Sequence, residues 1–196
     1  MPVRLSSLSR IRPLLTLIGA ALALAACSAQ KPPIKTAASV DLERFMGDWY
    51  VIAHVPAPLE ANAHNAVESY RLTEDGQVAT TFRFREGSFD GEVYTYHPMG
   101  FVRPESGNAV WDMQFFWPIR FEYRIVYLDD TYTRTIIGRR ARDYAWVMAR
   151  SPSLSEASYD NLVGILRDRG YDTDDLRRVP QQWPEGEQTS KESGGD

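Results

Sequence analysis

The sequence predicts an all-β domain, an eight-stranded antiparallel up-and-down barrel with one C-terminal α-helix packed outside. Three observations predict it. Eight strand-like runs follow one another along the chain, joined by short polar connections, which is the spacing of an antiparallel meander. After Ser155 the apolar period changes once, from two to about 3.6, and a single amphipathic helix results. An open antiparallel sheet of eight strands leaves exposed edges that invite aggregation, and closure removes them.

In order, the strands are expected at 49–55, 66–72, 78–85, 92–102, 109–116, 122–128, 132–139 and 144–150. The second and third flank Thr73-Glu74-Asp75-Gly76-Gln77, where Asp75-Gly76 is a hairpin signal. The fourth follows Asp90-Gly91 and contains Pro98 and Gly100, which predict a bend or bulge within it. Ser155 is placed as the helix N-cap and Gly170 as its stop. Between them Leu162, Val163, Ile165 and Leu166 form one apolar side among charged and polar neighbours. The domain is expected over 40–183, with a polar, disordered tail over 184–196.

Ahead of the domain, Arg4, Arg10 and Arg12 lead into an apolar stretch from Leu14 to Ala26. That stretch is too short to span a bilayer comfortably, where about 20 residues are needed. A basic start, a short apolar core and small residues before a cut point read as a secretory signal peptide over 1–26. Leu24-Ala25-Ala26-Cys27 resembles the bacterial lipobox, which implies that Cys27 is lipidated, becomes the mature N-terminus and anchors the protein to a membrane outside the cytoplasm. In the Gram-negative lipoproteins so resembled, an aspartate after the cysteine favours inner-membrane retention, so Ser28 there implies the outer membrane. Residues 27–39, small, polar and proline-bearing, are expected to be that lipidated N-terminus and a tether.

Removing residues 1–26 deletes three arginines and no acid, taking the formal charge from −4 to −7. That balance argues against nucleic acid as a partner, because phosphate backbones call for a basic patch. Cys27 is the only cysteine, so no disulfide can form within the chain and the core alone must hold the fold. About 170 residues remain after the signal, ample for one domain with a sizeable core.

Gly47-Asp48-Trp49-Tyr50 opens the first strand, just after the short amphipathic stretch Val40 to Met46. Asp129-Asp130-Thr131-Tyr132 and the run from Tyr144 through Trp146, Met148 and Arg150 follow in order. These resemble the three signature regions of the lipocalins: Gly-x-Trp-Tyr, the Asp-x-x-Tyr turn, and the closing arginine. The likeness is greatest to bacterial lipocalins of the apolipoprotein D branch and covers residues 40–183. It implies a structural role for Gly47, Trp49, Tyr50 and Arg150, with Trp49 plugging the closed end under the Arg150 guanidinium. It also implies a hollow barrel that binds fatty acids, lysophospholipids or similar amphiphiles, with Trp146 in the pocket wall. The ligand and the lipidated Cys27's membrane are the partners so implied. No cofactor and no metal are implied, and oligomeric state is left open.

With Trp49 and Arg150 setting the phase of the end strands, Val51, Ala53, Met148 and Trp146 are expected to face the cavity. Alternation gives inward candidates in the middle strands: Phe82 and Phe84; Tyr94 and Tyr96; Trp111, Met113 and Phe115; Tyr123, Ile125 and Tyr127. A cavity lined by such groups suits an acyl chain. The mouth departs from the family: the first loop carries Pro56 and Pro58, and Phe116-Trp117-Pro118-Ile119-Arg120-Phe121 replaces a glycine-rich turn. Arg120, His54 or His64 is expected to meet a polar head group there.

An enzyme on the same kind of barrel is the competing class. The sequence holds no Gly-x-Ser-x-Gly elbow and no glycine-rich phosphate loop. His54, His64 and His97 lack the spacing of a zinc site. Glu43, Glu60 and Glu68 are read as solvated surface. A third class is a structural envelope protein whose barrel is filled solid; an empty apolar cavity of several hundred cubic ångströms separates a carrier from that scaffold.

Overall fold

Asp41 caps a single helical turn, α1 (Leu42–Phe45), by accepting from the Arg44 N–H at 3.2 Å. The chain then swings through Gly47, at φ +91°, into β1 (Gly47–Val55). The computed structural model describes residues 32–185. Residues 1–31, with the expected signal segment and Cys27, and residues 186–196 lie outside the described residues. Eight antiparallel strands close into a barrel: β1, β2 (Ala63–Leu72), β3 (Val78–Glu86), the bent pair β4 (Val93–Tyr96) and β5 (Met99–Val102), β6 (Val110–Phe116), β7 (Ile119–Leu128), β8 (Arg134–Gly138) and β9 (Ala145–Ala149). Closure is the ladder between β1 and β9, in register from Tyr50–Ala149 to Val55–Ala145. The bend expected at Pro98 splits the fourth strand, and both halves pair with β3.

Two of the four bulges in the ladders decide which of the expected cavity residues face inward. Val51 pairs Met148 and Ala53 pairs Val147, so Ile52 is the extra residue and the phase of β1 inverts after it. Ala53 therefore lies on the outer face, in the apolar layer under the helix, and His54 turns toward the lumen side opposite Trp146. A second bulge at Val126 does the same to β7: Ile125 is inside, while Tyr127 packs outside. Strict alternation placed Ala53 and Tyr127 in the cavity; the bulges overturn both placements.

The outer layer seats α2 (Glu156–Asp168). Ser155 caps it by accepting from the Ser158 N–H at 3.3 Å, and Gly170 follows its end at φ +81°. Leu162 and Leu166, both buried, press on Ala53, Val126, Ile136, Ala145, Val147 and Ala149. Tyr171 ties the helix exit to β8, its hydroxyl accepting from the Arg139 N–H at 2.7 Å.

The chain on either side of the barrel is longer than composition indicated. Ile34 is buried in the outer layer and the Ala37 N–H donates to the Ile125 carbonyl at 2.8 Å, so residues 34–39 lie along the barrel instead of serving as tether. After β10 (Arg177–Arg178), which pairs with β1, residues 179–185 form a strap. Gln181 donates from Nε2 to the Val51 carbonyl at 2.8 Å, beside the β1 bulge, and Trp183 meets the Tyr50 ring edge-on. Glu185, expected in a disordered tail, grips Arg83 in a two-bond fork at 2.7 and 2.6 Å and Arg85 at 3.0 Å. Those guanidiniums, opposed by modest burial, hold its carboxyl at about 2. Residues 34–185 lie in one compact unit whose ladders and core are internal, so a chain that spans them has what it needs to fold by itself.

Candidate functional site

At one end the barrel is sealed. Arg150 lies with its guanidinium carbon 3.9 Å from the Trp49 ring centroid. It donates to the carbonyls of Arg44, Phe45, Met46 and Asp48 at 2.7–3.0 Å, satisfying the orphaned end of α1. Trp49 donates its own indole N–H to the Phe45 carbonyl at 2.8 Å. Gly47 is required here, since a Cβ at this left-handed position would also sit 3.4 Å from Arg150 Nη1. The Asp129 turn closes the same end. Burial pushes the Asp129 carboxyl up, but hydrogen bonds from Thr133 and Arg134 outweigh it and hold the group at about 2.

Above this seal the lower lumen is solid. Phe45, Trp49, Tyr70, Trp111 and Tyr123 stack and edge against one another with centroids 5.0–6.4 Å apart. Val51, Met148 and Trp111 belong to this packed interior, whereas Phe84, nearer the mouth than Phe82, packs against Phe82, Tyr94 and Tyr96; none of the four reaches the cavity wall. The upper lumen is hollow. A cavity of about 430 Å³ opens between the strands and the mouth loops, within the size range of small-molecule sites. Trp146, Phe82, Met113, Phe115 and Tyr123 line it, as sequence alternation placed them, together with Tyr96.

The first loop supplies one wall. Pro58–Glu60 forms a 3₁₀ turn that brings Ala57, Pro58 and Leu59 over the cavity. Glu60 is 2% exposed and accepts from Trp146 Nε1 at 2.7 Å, so it fixes the indole from behind. His54 Nδ1 stands 3.7 Å from the same carboxylate, beyond hydrogen-bond range, and neither residue lines the cavity. Glu60 and Glu68 are both buried, which corrects the expectation of solvated surface: a turn folded inward carries one, and inward strand phase carries the other.

Glu68 sits at the inner end of the cavity, accepting a hydrogen bond from the Tyr70 hydroxyl. Tyr70 is in turn 2.6 Å from the Tyr123 hydroxyl. Burial pushes the Glu68 carboxyl up to about 7, against the Tyr70 bond that lowers it, and pushes both phenols well above their ordinary range. Thr80, across the ladder from Tyr70, lines the cavity with a buried hydroxyl oxygen that has no hydrogen-bond partner among the described residues.

At the rim Arg139 and Tyr144 line the cavity, with Arg139 paired to Asp143 at 3.3 Å. Arg120, His54 and His64 do not line it. Arg120 stacks outside on Phe101 at 3.6 Å, and His64 Nδ1 is 2.9 Å from the Asn62 carbonyl with its ring against Phe89. Beyond the rim the β6–β7 hairpin presents Phe116, Trp117 and Ile119 to solvent, Trp117 at 85% exposure. The residues that sequence reasoning passed over, Glu68 and Thr80, were within its reach: each shares strand parity with an inward aromatic, Tyr70 and Phe82. Nothing in the sequence marks Arg139 as facing the mouth.

Residues 40–181 match a family described as a lipocalin-like domain. Temperature-induced lipocalin-1 of Arabidopsis thaliana is 27% identical over 164 residues, spanning 78% of this chain and 85% of its own length. The outer membrane lipoprotein Blc of Escherichia coli strain K12 is 25% identical over 184 residues, spanning 88% and 98%. Insecticyanin from the tobacco hornworm Manduca sexta, a solved structure, superimposes with a TM-score of 0.61 at 15% identity, over 79% and 87%, a likeness of fold alone. The sealed end with its glycine, indole and guanidinium, the closed barrel and the matched sequence over most of the domain agree: this chain belongs to the lipocalin family.

Proposed function

We propose that this protein is a membrane-anchored carrier that takes one amphiphile, of the size of a fatty acid or lysophospholipid, into the upper half of its barrel. The single observation that supports this most is the cavity of about 430 Å³, walled by aromatic and aliphatic side chains and open at the mouth. Apolar burial drives such binding at about 25 cal/mol per Å² removed from water, and no bond to the ligand need form or break. The solid lower lumen sets the depth, so an acyl chain enters only part of the barrel's length. Arg139 at the rim suits an anionic or zwitterionic head group, the role that sequence reasoning gave to Arg120, His54 or His64.

The anchor belongs to the same reading. Curated relatives bear the name outer membrane lipoprotein, and Leu24-Ala25-Ala26-Cys27 stands where such an anchor would be attached. Several acyl chains on one cysteine hold firmly, since each buried methylene contributes about 0.8 kcal/mol. Mass spectrometry of extracted Gram-negative membranes tests it: a diacylglyceryl and acyl mass on Cys27 is expected, and an unmodified thiol contradicts it.

The carrier is tested by titrating the anchor-free domain, residues 28–196, with a lysophospholipid while following tryptophan emission. Saturable binding with a spectral shift is expected. Trp146→Ala, which removes a wall residue without touching the sealed end, should weaken binding and leave the barrel folded. Unchanged affinity would remove Trp146 from the pocket.

A further inference from the structure

We infer that the inner end of the cavity, formed by Glu68, Thr80 and Tyr123, is a hydrogen-bond-accepting subsite that selects amphiphiles carrying a protonated primary amine over those carrying a carboxylate. This rests on the carrier reading and adds to it the chemistry of the ligand's buried end. Proton accounting leads to it. Tyr70 gives its one hydroxyl proton to Glu68, so the 2.6 Å contact between the two phenols takes its proton from Tyr123. With both phenol protons spent, the Tyr123 oxygen offers only lone pairs, and ionised Glu68 has none to give. Thr80, itself 4% exposed, adds a buried hydroxyl that is unpartnered among the described residues. All three line the same cavity, Thr80 directly across the ladder from Tyr70 and Glu68 two residues along the same face.

An ammonium carries three donors and no acceptor, and it cancels the buried charge of Glu68. A carboxylate brought to the same place would meet a like charge and donor-poor surroundings, so an anionic head is turned outward to Arg139. The titratable groups around Glu68 are Tyr70 in hydrogen-bond contact, Tyr123 behind Tyr70, and Glu60 from the first loop, whose charge also raises it. Tyr96, Glu122, Arg139 and Tyr144 line the cavity farther out.

The test loads residues 28–196 with the neutral fluorophore N-phenyl-1-naphthylamine and displaces it with dodecylamine, dodecanol or dodecanoate, each below its micelle concentration. At pH 8.5 dodecylamine should displace the probe at a concentration about tenfold or more below dodecanoate, the return expected for one charge-assisted contact. Glu68→Gln should erase that preference, read as the ratio of the dodecylamine to the dodecanoate displacing concentration within the same variant. Equal potency of amine and acid, or a preference that survives Glu68→Gln, overturns the subsite and leaves the carrier standing. Failure of all three to displace the probe overturns the carrier and the subsite with it. Should Glu68→Gln not fold, the wild-type pH series decides: the amine's advantage should shrink toward pH 5.5, and a flat profile overturns the proposal.

Discussion

Arg150→Met is the perturbation that most cleanly separates the barrel's stability from its cavity. The guanidinium makes one cation–π contact, at 3.9 Å, four hydrogen bonds to carbonyls around the end of α1, and from Nε a long one of 3.3 Å to the Tyr132 carbonyl that adds little. Two of those bonds, to Arg44 and Asp48, are exposed and contribute little. The two to Phe45 and Met46 are partly buried and together are worth about 2 kcal/mol, by the net value of about 1 each. The indole contact adds about 1–2 kcal/mol in this half-buried setting. The loss is therefore about 3–4 kcal/mol, a fall in Tm of about 10 °C at the 2–4 °C per kcal/mol usual for domains of 150–250 residues. Arg150→Lys should lie between, since it keeps the charge and loses the fork. The assay is urea unfolding followed by near-ultraviolet circular dichroism, with ligand affinity measured at a temperature where both proteins are folded. Affinity should be unchanged, because the cavity is at the other end of the barrel. A stability loss below about 1 kcal/mol would mean the seal is an ordinary surface contact, and a tenfold weaker affinity would mean the two ends are not independent.

Three further outcomes are expected. Leu166→Ala, at a fully buried position between α2 and the sheet, should cost about 2–5 kcal/mol in chemical denaturation. Gly138→Ala would set a Cβ 2.2 Å from the Tyr171 hydroxyl and should destabilise by about 1–3 kcal/mol or displace the helix exit, read as faster hydrogen exchange at Tyr171. The pH dependence has two arms. Asp129 and Glu185 are depressed in the folded state to about 2, so their stabilisation is full above the ordinary carboxylate range and is lost as pH falls toward about 2. Glu68 has the opposite sign: raised to about 7, it binds its proton more tightly folded than unfolded, so stability falls as pH rises from about 4.5 to 7. Glu68→Gln should therefore stabilise the protein at pH 8 by on the order of 2–3 kcal/mol, with no gain at pH 4; equal effects at both would contradict the buried placement.

What was legible in the sequence is what depends on near neighbours. The strand runs, the hairpin at Asp75-Gly76, the Ser155 cap and the Gly170 stop are set by local pattern, and the structure places them accordingly. Phase is local too, but only until a bulge. Ile52 and Val126 look like any other strand residue, so nothing warned that Ala53 and Tyr127 would face outward. The bulge at Ile52 is held by residues far along the chain, Gln181 and Val179, and distant partners leave no periodic trace. Glu60, Glu68 and Glu185 were misjudged for a related reason: a carboxyl reads as solvated until a specific partner takes it in, Trp146 for one, Tyr70 for the next, two arginines for the last. The aromatic rows point inward for Phe82, Tyr96, Trp111 and Tyr123, but not for Tyr127, which packs outside, or Tyr94, which is exposed, and they do not say which part of the interior is filled and which is hollow.

That division between a packed lower barrel and a hollow upper one is the claim on which the carrier depends. Isothermal titration of residues 28–196 with a lysophospholipid, for the wild type and for Met113→Trp, measures it most directly. Met113 is a cavity-wall residue, and a larger ring there takes up the space an acyl chain would enter. One ligand per wild-type chain, and binding abolished in a folded Met113→Trp protein, is the expected result; no saturable heat in the wild type, or undiminished affinity with the space filled, would contradict it.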